Sequence, residues 1–500
     1  MRAATFPLAL AGSASTALFV RIAQAIAQEI ARGRLSPGDA LPGTRSLAQT
    51  LGVHRSTVVA AYAELTAQGW VGTRPGGATY VATKVPERAP RRFAKSAEPR
   101  KGVPERAGFQ VDAMPVRTPA VQAFPGGGIQ LRGGTPDLRL VPVDLLARAY
   151  RRTARRSGHE LLGYALDGRG HRRLRAAIAA MVSTTRGLAA KEDDVLITRG
   201  SQMALDLVAR ALLSPGDLVA VEALGYAHAI NVFRRAGAEV VPIEVDQHGL
   251  DVDALAHLSR QRRVRLVYVT PHHQYPTTVG LSPTRRLALL ALAQREKIAI
   301  VEDDYDQEFH YDGRPVLPLA SSDAAGNVIY VGTLAKILAP GLRLGFVVAP
   351  APLLRRMHDE RMLLDRQGDA VLECAVAELL EDGEIQRHVR RMRRVYHDRR
   401  DALCDALDRQ FAGLLSYTRP AGGLALWARV APSIDLAAWF ARSAERGVHF
   451  QIGEQFTFDG RPAPFARLGF AALDKSTLTE AIKRLTESLP QRKRPNKRAV

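Results

Sequence analysis

The sequence predicts an α/β protein built from two unlike parts. Residues 15–82 place apolar side chains at helical spacing and end in a hairpin signal. After Gly126, short runs of Val, Ile and Leu alternate with helical segments, which is typical of a mostly parallel sheet covered on both faces. Beyond residue 350 helices dominate, and runs at 422–430 and 465–473 predict strands of a smaller C-terminal α+β domain.

Changes in composition divide the chain into four predicted segments. Residues 1–83 form the N-terminal module, and residues 84–122 form a basic, proline-rich linker without apolar periodicity. Residues 123–485 form the α/β part, and residues 486–500 form a basic tail. The strands expected in the central sheet are VLIT (195–198), LVAVE (218–222), VVPIEV (240–245), RLVYVT (265–270), IAIVED (298–303) and VIYVGT (328–333).

The charge of the chain favours a polyanionic partner. Its 500 residues carry a formal net charge of +20, and cationic surfaces gain affinity for nucleic acid by releasing condensed counterions. The alternative is an arginine-rich composition with no such partner. Two lone cysteines, Cys374 and Cys404, provide neither a disulfide framework nor a metal cluster, so we expect a cytoplasmic protein without a metal site. No apolar run reaches membrane-spanning length, and an apolar start broken by Pro7 does not indicate export.

The N-terminal module has the order of elements of a winged helix-turn-helix. Apolar residues from Phe19 to Ile30 recur at helical spacing, and short helices are predicted at Ser46–Thr50 and Ser56–Gln68. RPGG at residues 74–77 then predicts a hairpin. In such a module the third helix enters the major groove of DNA and the hairpin reaches the backbone or the minor groove.

The string LPGTRSLAQTLGVHRSTVVAAYAELTAQGWV, followed by GGATYVA, resembles the GntR class of bacterial regulators. Two alternatives stand beside that resemblance: Arg45 as a solvated surface charge, and the wing glycines as simple turn formers. Val59 occupies a position where some relatives carry a basic contact, which predicts a lighter footprint. The resemblance implies contacts to a double-stranded DNA operator from Arg45 before the second helix, from Arg55, Ser56 and Thr57 at the start of the recognition helix, and from Arg74, Gly76 and Gly77 in the wing.

Chemically distinctive residues follow the predicted strands of the second part, where ligands of open α/β sheets bind. Lys336 follows VIYVGTLA, and a buried amine there can stay unprotonated and condense with an aldehyde, although a lone strand-end lysine is more often solvated. Asp303 ends IAIVED and can hold a pyridine nitrogen protonated, while Tyr305 can donate to a phenolic oxygen. Arg343 and the helix start at 199–202 suit a phosphate.

Three segments, TPHHQYPTTVGLSPTRRLALL, VEDDYDQEFHYDGRP and GTLAKILAPGLRLGFVVAP, resemble class I aminotransferases. More narrowly, they resemble the MocR subfamily of GntR regulators over nearly all of residues 124–485. The resemblance implies a PLP-dependent transferase fold of type I with pyridoxal 5'-phosphate (PLP) as the cofactor. It implies Lys336 as the Schiff-base lysine, Asp303 and Tyr305 as partners of the ring, Ser201, Gln202, Thr333 and Arg343 as the phosphate cup, Tyr226 over the ring face, His273 or Gln274 beside the phenolic oxygen, and Arg467 on a substrate carboxylate.

Other positions match the family less firmly or depart from it. Tyr164 and Gly170 match a YxxxxxG entry motif, for which plain turn chemistry is an equal explanation. Ala335 replaces the serine common before the Schiff-base lysine, and Ala425 replaces the histidine of a GGLH pattern. Neither change is expected to abolish PLP binding, but both leave the recognised amino compound open.

The leading functional hypothesis is a PLP-dependent transcriptional regulator that binds an operator. Its effector is either an amino compound or PLP itself, and the sequence does not decide between them. The alternative is an active aminotransferase with an accessory DNA-binding domain, because sensing and transamination share their first chemical step. The resemblance also implies a head-to-tail homodimer.

Overall fold

A computed structural model describes residues 16–73, 78–84, 106–111, 127–165, 167–313 and 316–490. The chain divides into two compact units, Met1–Val111 and Asp112–Val500, and each is described by itself. Most of the predicted linker and the end of the predicted tail lie outside the described residues. In the described part of the chain, no helix is both long and apolar enough to cross a bilayer.

The first unit contains three helices and a two-stranded antiparallel hairpin around one apolar core. The predicted helical faces are buried, including Ile22, Ile26, Val58 and Leu65. Tyr62 is also buried, and its hydroxyl donates to the carbonyl oxygen of Pro42 at 2.7 Å. The elements are α1 (Leu18–Ala31), α2 (Thr44–Leu51), α3 (Arg55–Ala67), β1 (Val71–Thr73) and β2 (Thr79–Val81).

Two helix starts differ from the sequence prediction. Helix α2 begins at Thr44, so Arg45 lies in its first turn and does not precede it. Helix α3 begins at Arg55, one residue before the predicted start. Helix ends are weakly specified by local sequence, because the first turn lacks internal hydrogen bonds of its own. The end of α2 is better specified, since Gly52 adopts the left-handed conformation (φ 64°) that glycine favours after a helix.

The second unit is organised by a seven-stranded sheet. Six of its strands are almost fully buried, which explains why they are continuous apolar runs, and the edge strand at 239–243 is partly exposed. In spatial order the strands are β4 (Val195–Thr198), β12 (Gly345–Val348), β11 (Val328–Thr333), β10 (Ala299–Asp304), β9 (Val264–Val269), β5 (Leu218–Glu222) and β6 (Glu239–Ile243).

Strand β12 is the antiparallel member of this sheet, and the sequence did not predict it. It pairs with β11 on one side and β4 on the other, whereas the other neighbouring pairs of the sheet are parallel. The pairing requires close approach: a side chain at Gly332 would collide with the ring of Phe346. The mostly parallel sheet of the prediction is confirmed, with this one reversal.

Helices cover the sheet, and a smaller antiparallel sheet follows them. The smaller sheet has the order β13 (Leu415–Ser416), β14 (Ala425–Val430), β17 (Phe465–Gly469) and β16 (Gln451–Ile452). Two short pairs complete the strands, β3 (Ile129–Gln130) with β15 (Val448–His449) and β7 (Val245–Asp246) with β8 (Gly249–Leu250).

The helices of the second unit lie on both faces of the large sheet and beside the smaller one. Helix α14 continues to Glu487, and Ser488 is buried against Trp439, so the folded part extends past residue 485. The helices are α4 (Val143–Leu161), α5 (Arg172–Arg186), α6 (Ser201–Leu212), α7 (Ala227–Arg235), α8 (Val252–Gln261), α9 (Pro283–Glu296), α10 (Ala351–Leu364), α11 (Ala370–Glu381), α12 (Glu384–Gln410), α13 (Leu436–Glu445) and α14 (Lys475–Glu487).

The carboxyl end of β10 carries three buried acidic side chains in succession, Glu302, Asp303 and Asp304. Glu302 accepts hydrogen bonds from the backbone N–H groups of Leu319 (2.7 Å) and Ala320 (2.9 Å). Burial nevertheless dominates, because it penalises the charged form, and it raises the pKa of Glu302 to about 7. The centre of the sheet thus contains a carboxyl that titrates near neutral pH.

We predict that Glu302→Gln changes the pH dependence of stability. A carboxyl whose pKa rises from 4.5 to about 7 on folding binds more protons in the folded chain. Its contribution is fully present below about 4.5 and is lost as pH rises toward 7, by on the order of 3 kcal/mol. The melting temperature of the wild type minus that of Glu302→Gln should therefore fall through this window in scanning calorimetry. Glu445→Gln, which removes an exposed carboxyl on α13, is the control; equal slopes for all three proteins would contradict the prediction.

Candidate functional site

Lys336 lies just beyond the carboxyl end of β11 and is half-buried. Burial lowers the pKa of its amine, the nearby carboxylates of Asp306 and Asp303 act in the opposite direction, and Arg467 adds to the lowering. The backbone of Gly134 also approaches, since a Cβ there would lie 4.0 Å from Lys336 Nζ. A lowered pKa favours the neutral amine, which is the form that attacks an aldehyde.

Asp303 provides an unsatisfied acceptor in the same region. Its Oδ2 accepts a hydrogen bond from the hydroxyl of Tyr268 at 2.8 Å, and its Oδ1 is buried without a partner among the described residues. Burial raises the pKa of Asp303 to about 6, so the group is mostly ionised at neutral pH. A buried oxygen without a donor is costly unless a ligand supplies one. A protonated ring nitrogen would satisfy it.

The start of α6 forms an anion-binding corner with Arg343. Gly200 caps this helix with a positive φ of 78° and provides no side-chain hydrogen bond, which leaves the backbone N–H groups of Ser201 and Gln202 for a ligand. Arg343 donates from Nη2 to the carbonyl oxygen of Arg199 at 2.8 Å, and a Cβ at Gly200 would lie 3.2 Å from its guanidinium. Gln202 and Arg343 line a cavity of about 590 Å³.

Thr333 closes the same corner from the end of β11. It is buried, and its hydroxyl accepts a hydrogen bond from the backbone N–H of Ala335 at 3.1 Å. The hydroxyl also donates to the carbonyl oxygen of Leu344 at 3.4 Å, so it holds the backbone of the strand end. Thr333 therefore positions the segment that carries Lys336.

Two tyrosines predicted to contact the ring approach the site from different segments. Tyr226 caps α7, and burial raises its pKa to about 12, with electrostatic contributions from Asp303 and Arg343 that place it near both. Tyr305 donates from its hydroxyl to the carbonyl oxygen of His273 at 2.9 Å, and burial raises its pKa well above its ordinary value. Both lie around the space that Lys336 and Asp303 enclose.

Of the two side chains proposed beside the phenolic oxygen, Gln274 is engaged within its own loop, whereas His273 has Nε2 without a partner among the described residues. Gln274 donates to the carbonyl oxygens of Leu224 and Tyr275, both at 2.7 Å, and its amide oxygen accepts from Thr277, so it holds the loop together. His273 contributes its backbone oxygen to Tyr305 and turns its ring toward Asp306.

Tyr275 is the residue of this segment that the sequence interpretation missed. Its ring centroid lies 5.7 Å from that of Tyr226 and 6.0 Å from that of Tyr305, and the guanidinium carbon of Arg467 lies 4.6 Å from it. A signal was present, because Tyr275 is the aromatic residue directly before Pro276 in the same motif.

Arg467 on β17 is 1% exposed and lies over the ring of Tyr275. Its Nε donates to the carbonyl oxygen of Pro276 at 3.3 Å, and its Nη1 has no partner among the described residues. A side chain at Gly133 would collide with this guanidinium, so glycine keeps the approach open. A buried guanidinium with a free N–H group is suited to a carboxylate, which can accept two parallel hydrogen bonds.

The two residues of the YxxxxxG motif do not join this cluster within the chain. Tyr164 is 81% exposed and stacks with Arg366, whose guanidinium carbon lies 4.5 Å from the ring centroid. Gly170 adopts a positive φ of 98° and packs against Ile197, where a side chain would collide. The turn explanation therefore accounts for Gly170.

In the first unit, the predicted DNA contacts lie at the starts of two helices. Arg45 and Arg55 are exposed in the first turns of α2 and α3, and Arg55 Nε donates to Thr44 Oγ1 at 3.4 Å. Ser56 is exposed and bonds through Oγ to His54 Nδ1 at 2.7 Å, while Thr57 is half-buried. Neither first turn contains an acidic residue, so both helix starts attract phosphate. Arg74, Gly76 and Gly77 lie outside the described residues.

Comparisons with known proteins match each of the two units to a family. Residues 134–485 match the family described as aminotransferase class I and II, and residues 18–81 match the bacterial regulatory proteins of the gntR family. The α-aminoadipate aminotransferase LysN from Thermus thermophilus, solved with a phosphopyridoxyl-leucine ligand, is 32% identical. It has a TM-score of 0.68 and covers 74% of this chain and 95% of its own.

Relatives that share the whole arrangement are regulators. The probable rhizopine catabolism regulatory protein MocR of Rhizobium meliloti is 34% identical, across 91% of this chain and 90% of its own length. The regulator TauR of Rhodobacter capsulatus is 33% identical, across 94% of this chain and 96% of its own. The chain therefore belongs to the MocR-type regulators, in which a gntR-family DNA-binding domain is joined to an aminotransferase class I and II domain, and it is a PLP-dependent DNA-binding transcriptional regulator.

Proposed function

We propose that this regulator senses an amino compound that carries a carboxylate, and that the compound binds between Lys336 and Arg467. The observation that supports this most directly is the buried guanidinium of Arg467, whose Nη1 has no partner among the described residues. Arg467 also acts electrostatically on Lys336, so the carboxylate and the amino group of one small molecule can reach both.

Different residues of the site would hold the different parts of PLP. Lys336 would bind the cofactor covalently, Asp303 would accept from its ring nitrogen, and Tyr305 and Tyr226 would border the ring. The phosphate would be held by Arg343 and the first N–H groups of α6 at Ser201 and Gln202, with Thr333 positioning the strand end. When bound, PLP supplies an aldehyde that exchanges amines and a ring that withdraws electrons.

The DNA-binding unit would read an operator in the cytoplasm through α3. Arg55, Ser56 and Thr57 would face base edges or phosphates, and Arg45 would contact a phosphate beside the start of α2. Arg74, Gly76 and Gly77 remain proposed wing contacts on sequence grounds. Two such units in a head-to-tail homodimer would bind paired half-sites. The effector acts only through its different affinity for the conformations that bind DNA and those that do not.

We predict that Lys336→Ala abolishes the visible absorbance that PLP shows when bound to the purified protein, because the variant lacks the amine that attacks the aldehyde. Lys483→Ala, which removes an exposed amine on α14, should keep the spectrum of the wild type. An unchanged band in Lys336→Ala would place the cofactor on another residue.

We predict that Arg467→Gln separates cofactor binding from effector binding. The PLP spectrum should persist, while the concentration of an L-amino acid needed to perturb it should rise by roughly tenfold or more, as for loss of a buried charge-assisted pair. The amine produced by removing the carboxylate of that amino acid is the matched control, and its effect should not change. Equal losses for both ligands would contradict the assignment. If PLP alone alters operator affinity in the wild type and no amino acid adds to it, the proposed class of effector is wrong.

We predict that Arg55→Ala weakens binding to the operator by roughly 1–3 kcal/mol, which is the usual cost of losing a good contact to a base. Fluorescence anisotropy with operator and scrambled duplexes measures the difference. Arg32→Ala removes the same charge from the end of α1, and it should lower affinity for the two duplexes equally and weakly. Unaltered operator affinity in Arg55→Ala would mean that another element reads the DNA.

A further inference from the structure

Three histidines of the second unit converge beside the cofactor residues. His272 and His273 follow β9, and His310 comes from the loop after β10. One ligand nitrogen of each lies within 4.8 Å of the others, and the ring centroids of His272 and His273 are 4.2 Å apart. An antiparallel bridge between His310 and Gly422 fixes the third ring beside the first two.

Each ring has a buried nitrogen without a hydrogen-bond partner in the described part of the chain: His272 Nε2, His273 Nε2 and His310 Nδ1. His272 is 8% exposed and His273 is 4% exposed, so water reaches neither ring freely. Buried polar atoms are normally paired, and three unpaired ring nitrogens in one place require an explanation. A shared cation would satisfy all three at once.

Asp306 fixes the orientation of one of these rings. Its Oδ1 lies 2.8 Å from His273 Nδ1, and because a carboxylate can only accept, the proton of the imidazole stays on Nδ1. The lone pair of His273 is then on Nε2, the unpaired atom. A carboxylate behind a histidine is the usual outer-shell arrangement of a metal ligand, since it sets the tautomer and raises the basicity of the donor nitrogen.

Two arginines, Arg186 and Arg286, lie near the ring of His272. Both arginines are already occupied: Arg186 pairs with Glu308, and Arg286 donates to three backbone carbonyl oxygens at 2.8–3.0 Å. Gly422 also leaves room, since a side chain there would collide with His273 Cε1 and Nε2.

We propose that His272, His273 and His310 bind a divalent transition-metal ion, zinc in particular, at a site that adjoins the PLP residues. Imidazole is a preferred ligand of zinc, and three of them leave a fourth position for water. Zinc–nitrogen distances of about 2.0–2.1 Å bring ligand nitrogens to about 3.3 Å from one another, so small ring rotations complete the site. The sequence predicts no metal site on the basis of its two lone cysteines, and the proposed site contains no cysteine.

The metal would stabilise the segment that also reaches the cofactor residues. The backbone oxygen of His273 accepts a hydrogen bond from the hydroxyl of Tyr305. The charge of Asp306 interacts electrostatically with the amine of Lys336. Zinc binding is therefore expected to restrict this segment without using any residue assigned to the phosphate or the carboxylate. The site does not depend on the identity of the effector.

Zinc content of the full-length holo-protein tests this proposal. Protein without a polyhistidine tag is dialysed against a chelator, loaded with zinc, desalted and analysed by mass spectrometry. The wild type should retain about one zinc ion per chain, and the affinity of His310→Gln and of His272→Gln should fall by at least about tenfold. His248→Gln, at an exposed turn, should bind as the wild type does. The PLP spectrum of each variant shows whether the second unit has folded.

The outcomes are distinct. A wild type that retains no zinc, or a His310→Gln variant that retains zinc with unchanged affinity, overturns the site. If both variants lose the PLP spectrum and therefore the fold, X-ray absorption of the zinc-loaded wild type decides the matter: a shell with three imidazole nitrogens supports the site, and a shell without them excludes it.

Discussion

The parallel register of β9, β10 and β11 is the constraint on which the rest of the second unit depends. Asp303 pairs with Val331 and Glu302 with Val269, so the carboxyl ends of the three strands reach the same edge of the sheet. The sheet therefore brings together the acids of β10, the segment 270–276 and Lys336. No contact between their side chains is needed for this. The sheet is buried on both faces, and this burial alters the chemistry of whatever lies at its edge.

Burial acts in opposite directions on the two central groups. It raises the pKa of Asp303 to about 6 and lowers the pKa of Lys336, so the two pKa values shift toward each other. Tyr268 satisfies one oxygen of Asp303 and leaves the other without a donor among the described residues. A ligand that carries both an aldehyde and a protonated ring nitrogen would satisfy both groups, which is why we assign them to PLP.

The sequence predicted the elements that follow a repeating apolar pattern. It did not predict contacts between residues that are distant in the chain. Continuous apolar runs predicted the parallel strands, because each must be buried along its whole length. Strand β12 was missed since it is short, begins at Gly345 and runs against the direction of its neighbours. For the motif around Pro276, the sequence left open which side chain points inward. In the structure Gln274 bonds to the backbone of its own loop, and Tyr275 lies against Arg467.

The histidine cluster shows the same limit more clearly. His272 and His273 are adjacent in the chain, but His310 reaches them only because the loop after β10 is bridged to Gly422 of the smaller domain. No spacing rule for metal ligands predicts such a set, since the distances along the chain are set by the sheet and not by a turn or a helix. The expectation of no metal site rested on the cysteines and did not consider the histidines.

The segment 270–276 contacts the groups of each function considered for the second unit. Thr270 bonds to the buried Glu222, His273 meets both Asp306 and Tyr305, and Tyr275 lies under the guanidinium of Arg467. A carboxylate that draws Arg467 away from Tyr275, or a cation that fixes His273, must displace or stiffen the same few residues. Because protein cores change between discrete packings rather than deforming continuously, a small movement here is more readily converted into a second conformation than absorbed. A regulator can use this segment to respond to a ligand, because both Arg467 and the histidine cluster contact it.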